Sequence, residues 1–135
     1  MSFEQLRRAG ALVVLLVEDD VYLRMMTASN LRWAGFDVIE AAHAAEAVHI
    51  LERLPVDALF TDINMPGEMD GLALARWVHH RQLKTRIVLT SGVQLTLGES
   101  EKYASFLAKP YDSVEVEQHL RSVLSIHESL GTEQR

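Results

Sequence analysis

Cysteine is absent from the 135-residue chain, so disulfides, thiolate zinc clusters and thiol catalysis are excluded, and a reducing compartment fits. A basic excess is absent too. Lys and Arg number 13 against 19 Asp and Glu, for a net charge of −6, and such a chain lacks the basic face that phosphate-backbone binding needs. No nucleic-acid partner is expected. No apolar run approaches the roughly 20 residues of a membrane span. "LRRAGALVVLLVEDD" imitates a secretion signal, but its apolar core, Ala11 to Val17, is short and runs into three acids instead of a small-residue cleavage site. A buried strand is the better reading, with no membrane contact and a cytoplasmic location expected. Internal repeats, low-complexity tracts and linkers are missing as well. The chain therefore reads as one domain over residues 11–130 between an N-terminal tail, 1–10, and a C-terminal tail, 131–135.

Hydrophobic residues make up 48% of the chain and recur in five β-leaning runs: ALVVLLV (11–17), FDVIEA (36–41), VDALFTD (56–62), RIVLTSG (86–92) and SFLAKP (105–110). The first and fourth are almost continuously apolar, as strands buried on both faces are. Helix-period stripes lie between and after them. Leu23, Thr27, Leu31 and Ala34 form the first, Ala44, Ala47, Val48 and Leu51 the second, and Leu72, Ala75 and Val78 the third. Val116, Leu120, Val123, Leu124 and His127 mark the last. Asp20 and Asp70 stand where N-caps belong, Gly35 where a helix stops, and Asp112 with Glu115 forms a capping-box pattern. "VQLTLGESEKYA", before the fifth run, has no clean stripe and predicts at most a short helix. Strict β–α alternation over short links implies a doubly wound parallel sheet covered on both faces. Met25, Met26, Met65, Met69, Trp33 and Trp77 read as core or groove packing, and His79–His80, late in the third helix, as a solvated pair.

In such a sheet, ligands collect beyond the carboxyl ends of the strands, where the strand order reverses. Glu18, Asp19 and Asp20 close the first run, Asp62 the third, Thr90 and Ser91 the fourth, and Lys109 with Pro110 the fifth. Helix capping explains Asp20. It does not explain Glu18, Asp19 and Asp62 at one edge, because like charges crowded together destabilise each other. A hard divalent cation resolves that conflict, and magnesium takes carboxylate, carbonyl and water oxygens while also holding phosphate. With a lysine and a hydroxyl added, the set suits a phosphoryl group, one carboxylate serving as its acceptor.

Taken in order, LLVEDD (15–20), FTDINMPGEMDG (60–71), IVLTSG (87–92) and FLAKPY (106–111) resemble the receiver domain of bacterial two-component response regulators, across about residues 11–130. The resemblance implies a flavodoxin-like, five-stranded sheet of order 2-1-3-4-5 with about five helices, the fourth short or irregular. It implies that Asp62 is the phospho-acceptor, that Asp19 is a direct Mg2+ ligand, and that Glu18 reaches the ion through water. Asn64 would add its backbone carbonyl. Thr90 resembles the switch hydroxyl, Lys109 the lysine that pairs with the phosphoryl group, and Phe106 the aromatic switch residue; Lys109–Pro110 would be cis. The implied donor is a sensor histidine kinase or a histidine phosphotransfer protein, and the output is a change in contacts with a downstream protein not named by the sequence. Metabolic turnover is not implied, and a homodimer is left open.

The chain departs from the family's pattern in three places. "NMPGEMDG" carries one residue more than the common MPxMDG form, at Gly67 or Glu68. The segment 93–104 is a few residues short, which puts the ordinary output face of fourth helix, fifth strand and fifth helix in question. Ser91 and Gly92 stand where a smaller and a larger side chain are usual, so the phosphoryl lifetime is expected to differ. Two other readings carry less. An aspartyl-nucleophile phosphatase resembles a D-x-D pattern, and Asn64 removes its second acid. A phosphorylation-independent pseudo-receiver has no use for Glu18, Asp19, Asp62, Thr90 and Lys109 together.

Overall fold

The structure, a computed structural model, describes residues 10–81, 83–93 and 96–133, with residues 126–133 described by backbone alone. Nearly all of the expected N-terminal tail and the side chain of His127 lie outside the described residues, as do positions 94–95 of the atypical segment. The strands are β1 (Val13–Val17), β2 (Asp37–Ala41), β3 (Ala58–Asp62), β4 (Arg86–Ser91) and β5 (Ala104–Ala108). They form one parallel sheet in the order β2-β1-β3-β4-β5, as expected. The helices are α1 (Val21–Trp33), α2 (Ala44–Leu51), α3 (Gly71–His80) and α4 (Ser113–Glu133). Among the described residues between β4 and β5 the one helical element is a 3-10 turn, Gly98–Lys102, where the sequence offered no amphipathic stripe. Helix α4 runs on to Glu133, into the stretch read as a tail.

Alternation along the strands sorts the core onto two faces. Leu15, Val17, Leu59 and Leu89 pack with Ala47 and Leu51 of α2 and Leu74 and Val78 of α3. Val14, Leu16, Phe60 and Val88 pack with Ala28 and Leu31 of α1 and Val116 and Leu120 of α4. All residues of β1 and β3 are buried because each of these strands has a neighbour on both sides and a helix layer above and below.

The expected caps form. Asp20 Oδ1 accepts from Leu23 N at 3.1 Å and Asp70 Oδ1 from Ala73 N at 2.8 Å. Asp112 and Glu115 make the reciprocal pair, at 2.8 and 3.3 Å. A second box was not anticipated: His43 Nδ1 accepts from Glu46 N at 3.3 Å, and Glu46 Oε1 accepts from Ala42 N at 3.0 Å. The packing expectation needs correction at three positions. Met25, Met26 and Trp33 are 59%, 65% and 94% exposed, because the stripe that meets the sheet runs through Thr27, Ala28 and Leu31 and leaves them on other faces of α1. Met65 is buried, and Met69 and Trp77 pack against the core as read. His79 is exposed yet stacks on Tyr103, ring centres 4.0 Å apart and 7° from parallel. Among the described residues no helix is long and apolar enough to cross a membrane.

Candidate functional site

From β1 the sheet grows to β2 on one side and to β3, β4 and β5 on the other, so the strand order reverses between β1 and β3. Glu18 and Asp19 leave the end of β1 there, and Asp62 ends β3 beside them. Arg24 holds the first turn: its Nη1 donates to the Glu18 carbonyl at 2.8 Å while its Nε lies 3.5 Å from Glu40 Oε1. Carboxylate oxygens of Glu18, Asp19 and Asp62 lie within 4.8 Å of one another, with Glu18 and Asp62 buried and Asp19 exposed. Three crowded carboxylates with one open to solvent are a hard, all-oxygen donor set that fits magnesium.

Lys109 reaches this cluster from the end of β5. Its Nζ is 2.8 Å from Glu18 Oε1 and 3.2 Å from Asp62 Oδ2. Burial pushes the Glu18 carboxyl above its ordinary range, and the pull of Lys109 only partly opposes it. Burial works to lower Lys109, but the hydrogen-bonding and field of Glu18, with Asp62 adding to them, win and hold the ammonium above its ordinary value. The cluster therefore carries more negative charge than its one lysine offsets.

Backbone bonds tie the strand ends together: Ile63 N donates to Thr90 O at 2.8 Å and Lys109 N to Ser91 O at 2.9 Å. Thr90 is 2% exposed, and its buried Oγ1 has no hydrogen-bond partner. An unpaired buried hydroxyl is uncommon and costs about 1–3 kcal/mol unless a ligand or water meets it. Ser91 Oγ accepts from Asn64 Nδ2 at 2.9 Å and from Val93 N at 3.2 Å, so the side chain of Asn64 leans on β4. Asn64 N donates to Asp62 Oδ1 at 3.3 Å. The longer loop turns at Gly67, whose φ of +111° suits glycine, and it closes where Gly71 N donates to Ile63 O at 2.9 Å.

Sequence reasoning missed Gly71. A Cβ there would fall onto the carbonyl oxygen of Asp62 and within 2.7 Å of Ile63 Cα. The available signal was a glycine directly after an N-cap, where glycine weakens a helix and so needs another reason. Tyr111 was also undervalued: its hydroxyl shares a 3.2 Å hydrogen bond with Thr27, and its ring meets Phe60 with centres 5.5 Å apart. Burial raises that phenol above its ordinary value. Lys109–Pro110 is cis, as expected. Phe106 pairs in register with Leu89 and packs with it on the α2/α3 face, whereas Thr90 pairs with Leu107 on the α1/α4 face. Any coupling between Thr90 and Phe106 therefore runs through the adjoining backbone of β4 and β5.

A doubly wound sheet with a carboxylate cluster, a lysine and a free hydroxyl at the carboxyl ends of its strands has the layout of a site for a divalent cation and an anion. The profile of the response regulator receiver domain matches residues 14–121, and the chain belongs to that family. It is 32% identical over 122 residues to the aerobic respiration control protein ArcA of Escherichia coli, covering 88% of this chain and 51% of that protein. It is 38% identical over 86 residues to the sensor kinase CckA of Brucella abortus, covering 62% of this chain and 9% of the kinase. The chain thus spans about half the length of the first relative and a small part of the second. Among solved structures, the receiver domain of a putative Luxo repressor protein from Vibrio parahaemolyticus has the same fold, with TM-score 0.83 at 19% identity over 93% of this chain and 98% of that one. A response regulator receiver protein from Sinorhizobium medicae gives TM-score 0.75 at 28% identity, over 85% and 95%. Receiver domains are signalling modules of two-component systems, work with sensor kinases or phosphotransfer proteins, and bind magnesium in an acidic pocket.

Proposed function

We propose that Asp62 accepts a phosphoryl group from a phosphohistidine on a sensor kinase or a histidine phosphotransfer protein, and that the cytoplasmic output is a changed protein–protein contact. The observation that carries this reading is a buried carboxylate, Asp62, 3.2 Å from Lys109 and in direct register with a hydroxyl, Thr90, that has no hydrogen-bond partner. One oxygen of Asp62 forms the bond to phosphorus as the bond from phosphorus to the donor nitrogen breaks, its electron pair returning to the ring. Lys109 stays beside the acceptor and offsets charge on the phosphoryl oxygens. Magnesium, when bound by Asp19, Asp62 and the Asn64 carbonyl with Glu18 acting through water, supplies further charge neutralisation.

The hydroxyl of Thr90 then has an acceptor, and drawing it toward the phosphoryl group biases the ends of β4 and β5, where Phe106 packs. Attack of water on phosphorus returns the Asp62 carboxylate and inorganic phosphate. Exposed apolar side chains favour a protein donor over a small substrate: Val21, Tyr22, Met25 and Met26 start α1, Val114 starts α4, and Val93 follows β4. A phosphatase reading lacks a second acid two residues after Asp62, where Asn64 stands.

The test is incubation with Mg2+ and acetyl phosphate, followed by intact mass. One hydroxylamine-sensitive phosphoryl adduct is expected on the wild type and none on Asp62→Asn. An unlabelled wild type, or equal labelling of the variant, overturns the proposal; repeated release of phosphate from varied monoesters would favour the hydrolase.

A further inference from the structure

The crossover from β4 to β5 spans residues 92–103, close to the dozen or so residues that a parallel connection needs at minimum. Among its described residues it holds the 3-10 turn Gly98–Lys102, where each of the other crossovers holds an α-helix. It advances across the sheet in the same direction as the crossovers carrying α2 and α3, so a right-handed connection puts it on their face, beside α3. Leu97 does pack into the α2/α3 cluster. A five-residue turn, about 10 Å long, nevertheless cannot cover the flank of α3, whose ten residues span about 15 Å.

The open flank is a groove of about 510 Å3 between α3 and the turn. Leu72, Leu97 and Tyr103, all half-buried, supply its apolar lining, and the stack of His79 on Tyr103 holds part of that lining in place. Charge comes from exposed side chains. Arg76 makes no ion pair among the described residues, and Lys102 is paired with Glu99 at 3.0 Å through side chains 74% and 85% exposed. So exposed a pair contributes little and gives way to a competing carboxylate at small cost. Two permanent cations and two histidines, His79 and His80, thus share the groove with one acid, on a chain whose net charge is −6.

We propose that this groove receives an acidic amphipathic helix from a partner protein, lying where a longer β4–β5 crossover would place one of the chain's own. A helix of two or three turns matches the length of the open flank of α3, with one apolar stripe on Leu72, Leu97 and Tyr103 and carboxylates flanking it toward Arg76 and Lys102. Charge complementarity selects an acidic partner, and it disfavours a second copy of this chain, which is itself at −6. The proposal does not depend on Asp62.

The test is selection from a phage-displayed library of peptides about three helical turns long, against the full chain, once metal-free and once with Mg2+ and beryllofluoride. Peptides rich in Glu and Asp, with apolar residues at helical spacing, are expected to be enriched in at least one state. Their dissociation constants should rise about tenfold with Arg76→Glu and by a smaller factor with Lys102→Glu, since Glu99 already engages Lys102, whereas Arg76→Lys should nearly retain binding. Both side chains are exposed, so thermal melts should show all three variants folded. Enrichment of neutral or basic peptides, affinities unmoved by Arg76→Glu, or no enrichment in either state overturns the proposal. A free protein that is dimeric and becomes monomeric with Arg76→Glu gives the groove to a second copy and overturns it too. Labelling of Asp62 is read separately, so the failure of either reading leaves the other standing.

Discussion

Gly71→Ala is expected to lower the stability of the domain and also to slow labelling of the molecules that remain folded. The added methyl lands on the Asp62 carbonyl and beside Ile63 Cα, which are backbone atoms at the end of a fully buried strand. A flexible side chain could swing away; this backbone cannot, because Ile63 N is bonded to Thr90 O and Ile63 O to Gly71 N. Overpacking of this kind costs about 1–3 kcal/mol or somewhat more, a fall in Tm of roughly 5–10 °C for a domain of this size. Relief has to come from moving α3 outward or Asp62 off its position. Displacement of an attacking group by about 1 Å can slow a reaction on the order of 100-fold, so labelling by acetyl phosphate should drop at least tenfold per folded molecule. Leu74→Ala separates the two effects. Leu74 is fully buried on the same helix but faces the α2/α3 core cluster, so its removal costs about 2–5 kcal/mol through a cavity without pressing on Asp62. Thermal melts and labelling at a temperature where all three proteins are folded decide the matter. Wild-type labelling of Gly71→Ala would mean that α3 yields and Asp62 does not.

Much of this site was legible because its residues end strands, and strands in an alternating β–α chain can be found from apolar runs alone. Glu18, Asp19, Asp62, Thr90 and Lys109 each follow or close such a run, so topology brings them to one edge without any knowledge of distances. Asp20, Asp70 and Asp112 were legible for a local reason, since an Asx side chain reaches its own helix's free N–H groups within three residues.

What escaped depends on long-range approach. Ser91 and Asn64 are 27 positions apart, and their bond exists only because β3 and β4 are neighbours. Gly71 meets Asp62 only after the loop has closed. Arg24 looks like an ordinary surface residue of α1 until its guanidinium is seen on the Glu18 carbonyl. The exposure of Met25 and Met26 was misread because apolar character was taken as burial, although helical phase puts both off the stripe of Thr27, Ala28 and Leu31. His43 was passed over because histidine is an unusual N-cap.

Lys109→Ala should destabilise the metal-free protein and impair phosphoryl transfer, and the two losses should respond differently to a second change. Glu18 is 2% exposed and Asp62 5%, and Lys109 is the cation in contact with both. Burial already raises Glu18, so its charged form is held in place by a partner whose removal leaves two crowded carboxylates. Breaking a fully buried pair costs about 3–5 kcal/mol; Lys109 is 20% exposed, and with that solvent screening about 1–3 kcal/mol is expected. Adding Glu18→Gln to Lys109→Ala removes one of the two uncompensated charges, so the double variant should recover much of the lost stability in denaturant melts run with EDTA. Transfer should not recover. The ammonium also offsets charge on the phosphoryl group, and deleting one such contact slows a reaction about 100- to 1,000-fold. Lys109→Arg keeps the charge but replaces a compact ammonium with a planar fork, so it should retain stability better than it retains transfer. If the double variant were no more stable than Lys109→Ala, the loss would come from burial of the lysine's methylene stem and not from its charge. If Lys109→Ala were labelled at the wild-type rate, the positive charge beside Asp62 would serve the fold and not the chemistry.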